Sequence, residues 1–198
     1  WFEAILKIWP YVLEHPAQRP VRSPAYVSSE ASRRVVKNVM IELIRESVLD
    51  TRKTATEDVP YIYECAAKAG ICAGFQLMDE NLGKLTADQV DTLVLPPLRG
   101  MSKKTLKQIR TLHEAGVNLV GNENVDGLED LFGVKDTGRM KNITKVTATG
   151  GFCAGMSEYC DDPRCQGSYI ADGAEVLLNA EIPVLTIKRN AKASAAFF

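Results

Sequence analysis

Apolar residues follow two rhythms along this chain, one helical and one of short unbroken runs. From Glu30 to Leu49, Val35, Val39, Leu43 and Ile44 recur at helical spacing, while Arg33, Arg34, Lys37 and Glu42 fall on a polar, solvated face. A second helical stretch has Thr56 or Asp58 as its cap, Pro60 in its first turn, and Ile62, Cys65, Ala66 and Ala69 on one face, with Gly70 ending it. In a third, Ser102 is the cap, Leu106, Ile109 and Leu112 form the inner face, and Gly116 is the stop. Between these helices lie four strand-like runs: Ala25–Ser29, Ile71–Phe75, Val90–Leu95 and Val117–Val120. The apolar centre of Val90–Leu95 suits a strand covered on both faces, which implies a parallel sheet. Repetition of helix, glycine and strand predicts a doubly wound α/β domain.

After Gly133 the rhythm changes. Ile143–Thr149 reads as a strand, a loop rich in cysteine follows, and Pro183–Lys188 and Ser194–Phe198 read as a hairpin around Arg189–Ala193. At the opposite end, Trp1–His15 places Phe2, Ile5, Ile8, Trp9 and Val12 at helical spacing, and Pro10 bends or breaks that helix. The following PAQRPVRSP is an extended connector. The expected division is therefore a helix and linker from a preceding domain over residues 1–23, an α/β domain over 24–140, and a β-rich extension over 141–198 that closes the same domain. A start at Trp1 rather than Met leads to the expectation that the chain is a piece of a longer protein.

Composition narrows the partners. With 198 residues, 45% of them hydrophobic and 25% charged, the chain can bury an ordinary core. A formal net charge of −1 gives no field to gather nucleic acid or an anionic membrane. No apolar run approaches the roughly 20 residues that cross a bilayer. Five cysteines, an odd number, suit either a reduced compartment or an exported protein with one left over, so localisation stays open between cytoplasm and export.

The candidate chemistry is sparse. Gly151-Phe-Cys-Ala-Gly155 has the G-x-C-x-G spacing of a nucleophile elbow, and a cysteine-dependent amidotransferase or hydrolase is one reading of it. A Cys153 nucleophile needs a base, yet the only histidines are His15 and His113, both earlier in the chain. The C-x6-C-x4-C spacing of Cys153, Cys160 and Cys165 lacks the close pair of a zinc signature, so no metal is expected, and no cofactor. His113 flanks an apolar helix face, where a packing role is the simpler reading. In an open α/β sheet ligands gather at the carboxyl ends of the strands. Those ends offer Ser28, Ser29, Arg99, Glu123 and Asn124, a set that suits a polyol or sugar and fits a buried loop network equally well.

The run VDTLVLPPLRGMSKKTLKQIRTLHEAGVNLVGNENVDGLEDLFGVKDTG resembles the glutamine-amidotransferase-like, or trimerisation, domain that follows the catalytic barrel in family 42 β-galactosidases and related hydrolases. Its marks are the "LVLP" strand, a helix, the "AGVNLV" strand and "LEDLFGVKDTG"; the likeness is clearest over residues 61–138 and continues loosely into AEVLLNAEIPVLTIKRN. The resemblance implies a flavodoxin-like, three-layer domain with a mainly parallel sheet of the class I glutamine-amidotransferase kind. In true class I glutaminases the strand after this helix ends at the cysteine elbow. Here the place reads Gly121-Asn-Glu-Asn-Val125, and a carboxylate at Glu123 cannot form the thioester of glutamine hydrolysis. By the same resemblance Trp1–His15 is the last helix of a catalytic barrel in the same chain. The implied role is a non-catalytic accessory domain of a carbohydrate-active hydrolase, assembling as a homo-oligomer, a trimer. A carbohydrate-binding module is the alternative.

Overall fold

The computed structural model describes residues 22–31, 68, 74–98, 100–122, 124–149, 154–155, 157–180 and 182–198. The expected helix over 1–15, the one over 56–69 except for Lys68, most of the one opening at Glu30, and the residues Arg99, Glu123 and Cys153 lie outside the described residues. Among the described residues nine strands join in one sheet. They are β1 (Ser23–Ser28), β2 (Phe75–Met78), β3 (Val90–Val94), β4 (Asn118–Gly121), β5 (Val134–Ala148), β6 (Ser157–Ala171), β7 (Glu175–Asn179), β8 (Pro183–Arg189) and β9 (Ser194–Phe197). Two α-helices are described beside them, α1 (Lys103–Glu114) and the single turn α2 (Glu129–Phe132).

The sheet is mixed. Its spatial order is β2-β1-β3-β4-β9-β8-β7-β5-β6. From β2 to β9 every neighbour is parallel, and from β9 to β6 every neighbour is antiparallel. The parallel half is compatible with a three-layer α/β fold, although helix is scarce among the described residues. The antiparallel half runs from β5 to β9, and its last strand returns to lie beside β4, so both halves share one sheet. Strand β5 begins directly after Gly133 and runs across position 140.

Local sequence explains the parallel half. β3 is central, with Val90 and Leu93 fully buried and Leu95 buried just beyond its end, as its apolar run predicts. Ser102 caps α1: its Oγ accepts a hydrogen bond from the Thr105 N–H at 3.1 Å, which satisfies one of the orphan donors of the first turn. Ile109 and Leu112 are buried on the core side, and Leu106 packs at its margin. Gly74 lets the chain enter β2, because a Cβ there would stand 1.7 Å from the Pro24 carbonyl oxygen. At the far end of the core Phe132, Phe197 and Tyr169 meet edge to face, with ring centroids 6.4 Å and 4.7 Å apart for the two pairs that share Phe197.

Three strand expectations are corrected. The strand expected at Ile71–Phe75 is β2, at Phe75–Met78. The strand expected at Ile143–Thr149 is the second half of the fifteen-residue β5. The loop expected around Cys160 and Cys165 is β6, an edge strand hydrogen-bonded only to β5. An edge strand with one neighbour needs no buried apolar rhythm, and SEYCDDPRCQGSYIA has none, with Pro163 in its middle.

Candidate functional site

The sheet order reverses between β1 and β3. After β1 the chain proceeds to β2 on one side, and β3 enters on the other. Loops that leave the carboxyl ends of these strands diverge and leave a crevice, the usual ligand position in an open α/β sheet. A cavity of about 440 Å³ occupies this position. Its lining comes from three segments: Glu30 and Ala31 after β1, Asp79 and Glu80 after β2, and Gly100, Ser102, Lys104, Thr105 and Gln108 after β3, the last three on α1.

Packing behind the crevice fixes part of this lining. Ser29, 1% exposed, donates its hydroxyl hydrogen bond to Oδ2 of Asp79 at 3.0 Å, so the end of β1 holds the carboxylate that follows β2. Ser102 and Thr105 share a hydrogen bond of 2.9 Å between their hydroxyls at the start of α1. Gln108 packs its amide against Gly83 in the 3-10 turn Asp79–Lys84, where a Cβ would come within 2.4 Å of Nε2. Among the described residues the lining holds three carboxylates, one ammonium, two hydroxyls and one amide.

The residues singled out from sequence divide between two places. Ser28 ends β1 and Ser29 follows it, both buried behind the crevice rather than in its lining. Asn124 follows β4 and is 3% exposed, inside a closed network. Its Nδ2 donates to Asp126 Oδ1 at 2.8 Å and to the Tyr169 hydroxyl at 3.2 Å, and its Oδ1 accepts from the Asp126 N–H at 3.2 Å. The backbone carbonyl of Asn124 accepts from the Leu98 N–H at 3.0 Å, which ties the loop after β4 to the loop after β3. Asn124 thus stands in a buried loop network. Burial pushes the Tyr169 phenol up to about 12, with the Val125 N–H opposing the shift.

Gly121 ends β4 where a glutaminase elbow would begin. A Cβ at Gly121 would stand 2.8 Å from Cγ1 of Val125 and 2.9 Å from the Phe132 ring, so the end of β4 is closely packed at this glycine. His113 is 3% exposed. Its Nδ1 lies 2.9 Å from the Val117 carbonyl, which can only accept, so Nδ1 carries the proton. Nε2 accepts from the Asn190 amide at 3.0 Å. Nε2 thus joins α1 to the β8–β9 turn, while Nδ1 fastens the end of α1 to the chain just before β4, a packing role. Among the described residues no group of three or more His, Cys, Asp or Glu is placed to hold a metal ion.

Sequence reasoning missed Asp79, Glu80, Ser102, Lys104, Thr105 and Gln108 as crevice residues. A signal existed. Had β2 been placed at FQLM rather than four residues earlier, Asp79 and Glu80 would have stood at a strand's carboxyl end.

Comparison with known proteins places this geometry. No protein-family model matches the sequence, and no curated protein matches it. Solved structures do. The GH42 β-galactosidase Gan42B aligns with TM-score 0.63 at 14% identity, over 90% of this chain and 27% of that one. A catalytic mutant of Gan42B from G. stearothermophilus aligns with TM-score 0.65 at 13% identity. The exo-β-1,4-mannosidase Op5Man5 from Opitutaceae bacterium strain TAV5 aligns with TM-score 0.56 at 11% identity, over 98% of this chain and 33% of that one. At such identities the likeness is one of fold. This chain spans about a third or less of the length of these glycoside hydrolases.

Proposed function

We propose that this chain is a non-catalytic accessory domain of a larger carbohydrate-active hydrolase of the β-galactosidase kind, with a flavodoxin-like, amidotransferase-like fold. The observation that carries the reading is the pattern of coverage: the fold likeness takes in nine tenths of this chain but only 27% of the GH42 chain it aligns with. A catalytic barrel in the same chain would carry the hydrolytic carboxylates. The domain would act through contacts, holding copies of the parent protein together as a trimer. Strand order agrees with the flavodoxin-like assignment, since β2-β1-β3-β4-β9 is the order 2-1-3-4-5 of that class.

Chemistry at the β4 end supports the non-catalytic part. Gly121 is packed against Phe132, the following residues hold no cysteine, and His113 is occupied on both nitrogens. The test is an activity assay of the chain alone against glutamine and against aryl glycosides. Neither ammonia nor free aglycone is expected. Ammonia release that disappears in Cys153→Ala would overturn the reading in favour of an amidotransferase.

One observation favours a second reading, that the domain also binds carbohydrate at its strand ends. The crevice between β1 and β3 stands where doubly wound sheets hold ligands, and Ser29 reaches it through Asp79. Arg99 and Glu123 belong to this proposal from sequence alone.

A further inference from the structure

An aspartate followed by glycine occurs twice in this chain, at Asp126-Gly127 and at Asp172-Gly173, and the fold treats the two steps differently. We infer that Asp172-Gly173 is a site of spontaneous backbone modification, where Asp172 converts to the β-linked isoaspartyl form, and that Asp126-Gly127 is protected from the same reaction. The Gly173 amide nitrogen attacks the side-chain carboxyl carbon of Asp172, and the carboxyl OH leaves with the amide proton as water. Water then opens the five-membered imide at either carbonyl, which restores Asp172 or reroutes the chain through its side-chain carbonyl. The net change is an isomerisation that needs no co-reactant but water. Because both reacting groups belong to neighbouring residues, their positioning sets the rate. Glycine in second place leaves the attacking nitrogen uncrowded.

Both steps are exposed, and both glycines are left-handed, with φ of 82° at Gly127 and 87° at Gly173. Hydrogen bonding and packing separate them. At Gly127 the attacking N–H is donated to Glu129 Oε2 at 2.9 Å, and the Asp126 carboxylate is held by Asn124, whose Nδ2 donates to Oδ1 at 2.8 Å. A Cβ on Gly127 would stand 2.8 Å from Leu106 Cδ1, so this backbone also rests on α1. Ring closure there first breaks at least one charge-assisted hydrogen bond, which slows it by about tenfold or more. In the turn between β6 and β7 the setting is open. Among the described residues neither the Asp172 carboxylate nor the Gly173 N–H has a hydrogen-bond partner. A Cβ on Gly173 would find its nearest neighbour, Lys188 Nζ, at 3.9 Å. The turn is anchored by the Asp172 N–H, which donates to the Gly133 carbonyl at 2.7 Å and takes no part in ring closure.

The two steps fall on separate tryptic peptides, residues 111–135 and 165–188, so each can be followed in one digest. The purified, folded protein is incubated at neutral pH in water enriched in heavy oxygen, and isoaspartate is located by chromatography and electron-transfer fragmentation, each ring opening leaving one labelled oxygen. Isoaspartate should accumulate at position 172 at least about tenfold faster than at position 126. In the urea-unfolded chain the two rates should converge. Asp172→Glu, which would have to close a six-membered ring, should lose the product at that step. Glu129→Ala, checked for an unchanged circular dichroism spectrum, frees the Gly127 N–H and should raise the rate at Asp126. Equal rates in the folded protein, or a difference that persists unchanged on unfolding, would overturn the inference. A rate at Asp126 that Glu129→Ala leaves unmoved would overturn the protection ascribed to its hydrogen bond.

Discussion

Tyr169→Phe probes the joint between the two halves of the sheet. The phenol is 2% exposed, its hydroxyl accepts from Asn124 Nδ2 at 3.2 Å and from the Val125 N–H at 3.5 Å, and its ring packs edge to face on Phe197. Phenylalanine keeps the ring and removes the acceptor. Asn124 retains Asp126, so near neutral pH the loss should be close to that of a single hydrogen bond, about 1 kcal/mol. The sign reverses in alkali. Burial raises the phenol from 10.0 to about 12 in the folded chain, so the unfolded chain ionises first and this residue's contribution is lost as pH climbs through that window. The wild type should lose about 1.4 kcal/mol from this source by pH 11 and approach about 2.7 kcal/mol when both states are ionised. The variant has no phenol there and escapes the loss. Urea unfolding followed by circular dichroism from pH 8 to pH 11.5 should therefore show the wild type more stable below about pH 10.5 and the variant more stable above it, while other titrating groups cancel in the difference. A difference that stays constant across the range would refute the buried bracket.

Three further substitutions test the packing. Gly121→Ala places a methyl against Phe132 and Val125 and should cost about 1–3 kcal/mol by overpacking, read as a lowered urea midpoint. His113→Ala removes the bond that ties α1 to the β8–β9 turn at Asn190 and the bond to the Val117 carbonyl ahead of β4, and should cost about 2 kcal/mol or more, with hydrogen exchange rising at the Asn190–Ala193 turn. Asp130 is held below its usual carboxylate value by its two hydrogen bonds from Arg110, so its contribution is present above pH 3.8 and lost as pH falls further. The Asp130 side chain is 64% exposed, so Asp130→Asn should change stability at neutral pH by no more than about 1 kcal/mol and should flatten the acid limb of the stability curve.

The parallel half was legible where burial on two faces forces a pattern. β3 and β4 show it, as unbroken or glycine-bracketed apolar runs, and α1 shows it through a serine cap and one apolar stripe. The antiparallel half was legible only where a hairpin turn signals itself, as at Asn190, whose Oδ1 accepts from the Lys192 and Ala193 N–H groups. β6 was hidden because it has one neighbour, and β7 because EVLLN is too short to display a period. At the site, a four-residue displacement of β2 was enough to hide Asp79 and Glu80. Asn124 was visible as a strand-end amide, but its partner Tyr169 stands 45 residues away, and no local pattern announces such a pair.

Assembly is the central claim, and the size of the parent protein in solution tests it most directly. Multi-angle light scattering on the full-length protein, and on the same protein lacking residues 24–198, should give a trimer for the first and a monomer for the second at concentrations well above micromolar. A full-length protein that stays monomeric there, or a truncated one that still forms the trimer, would contradict the assembly role and leave this domain as a spacer within its own chain.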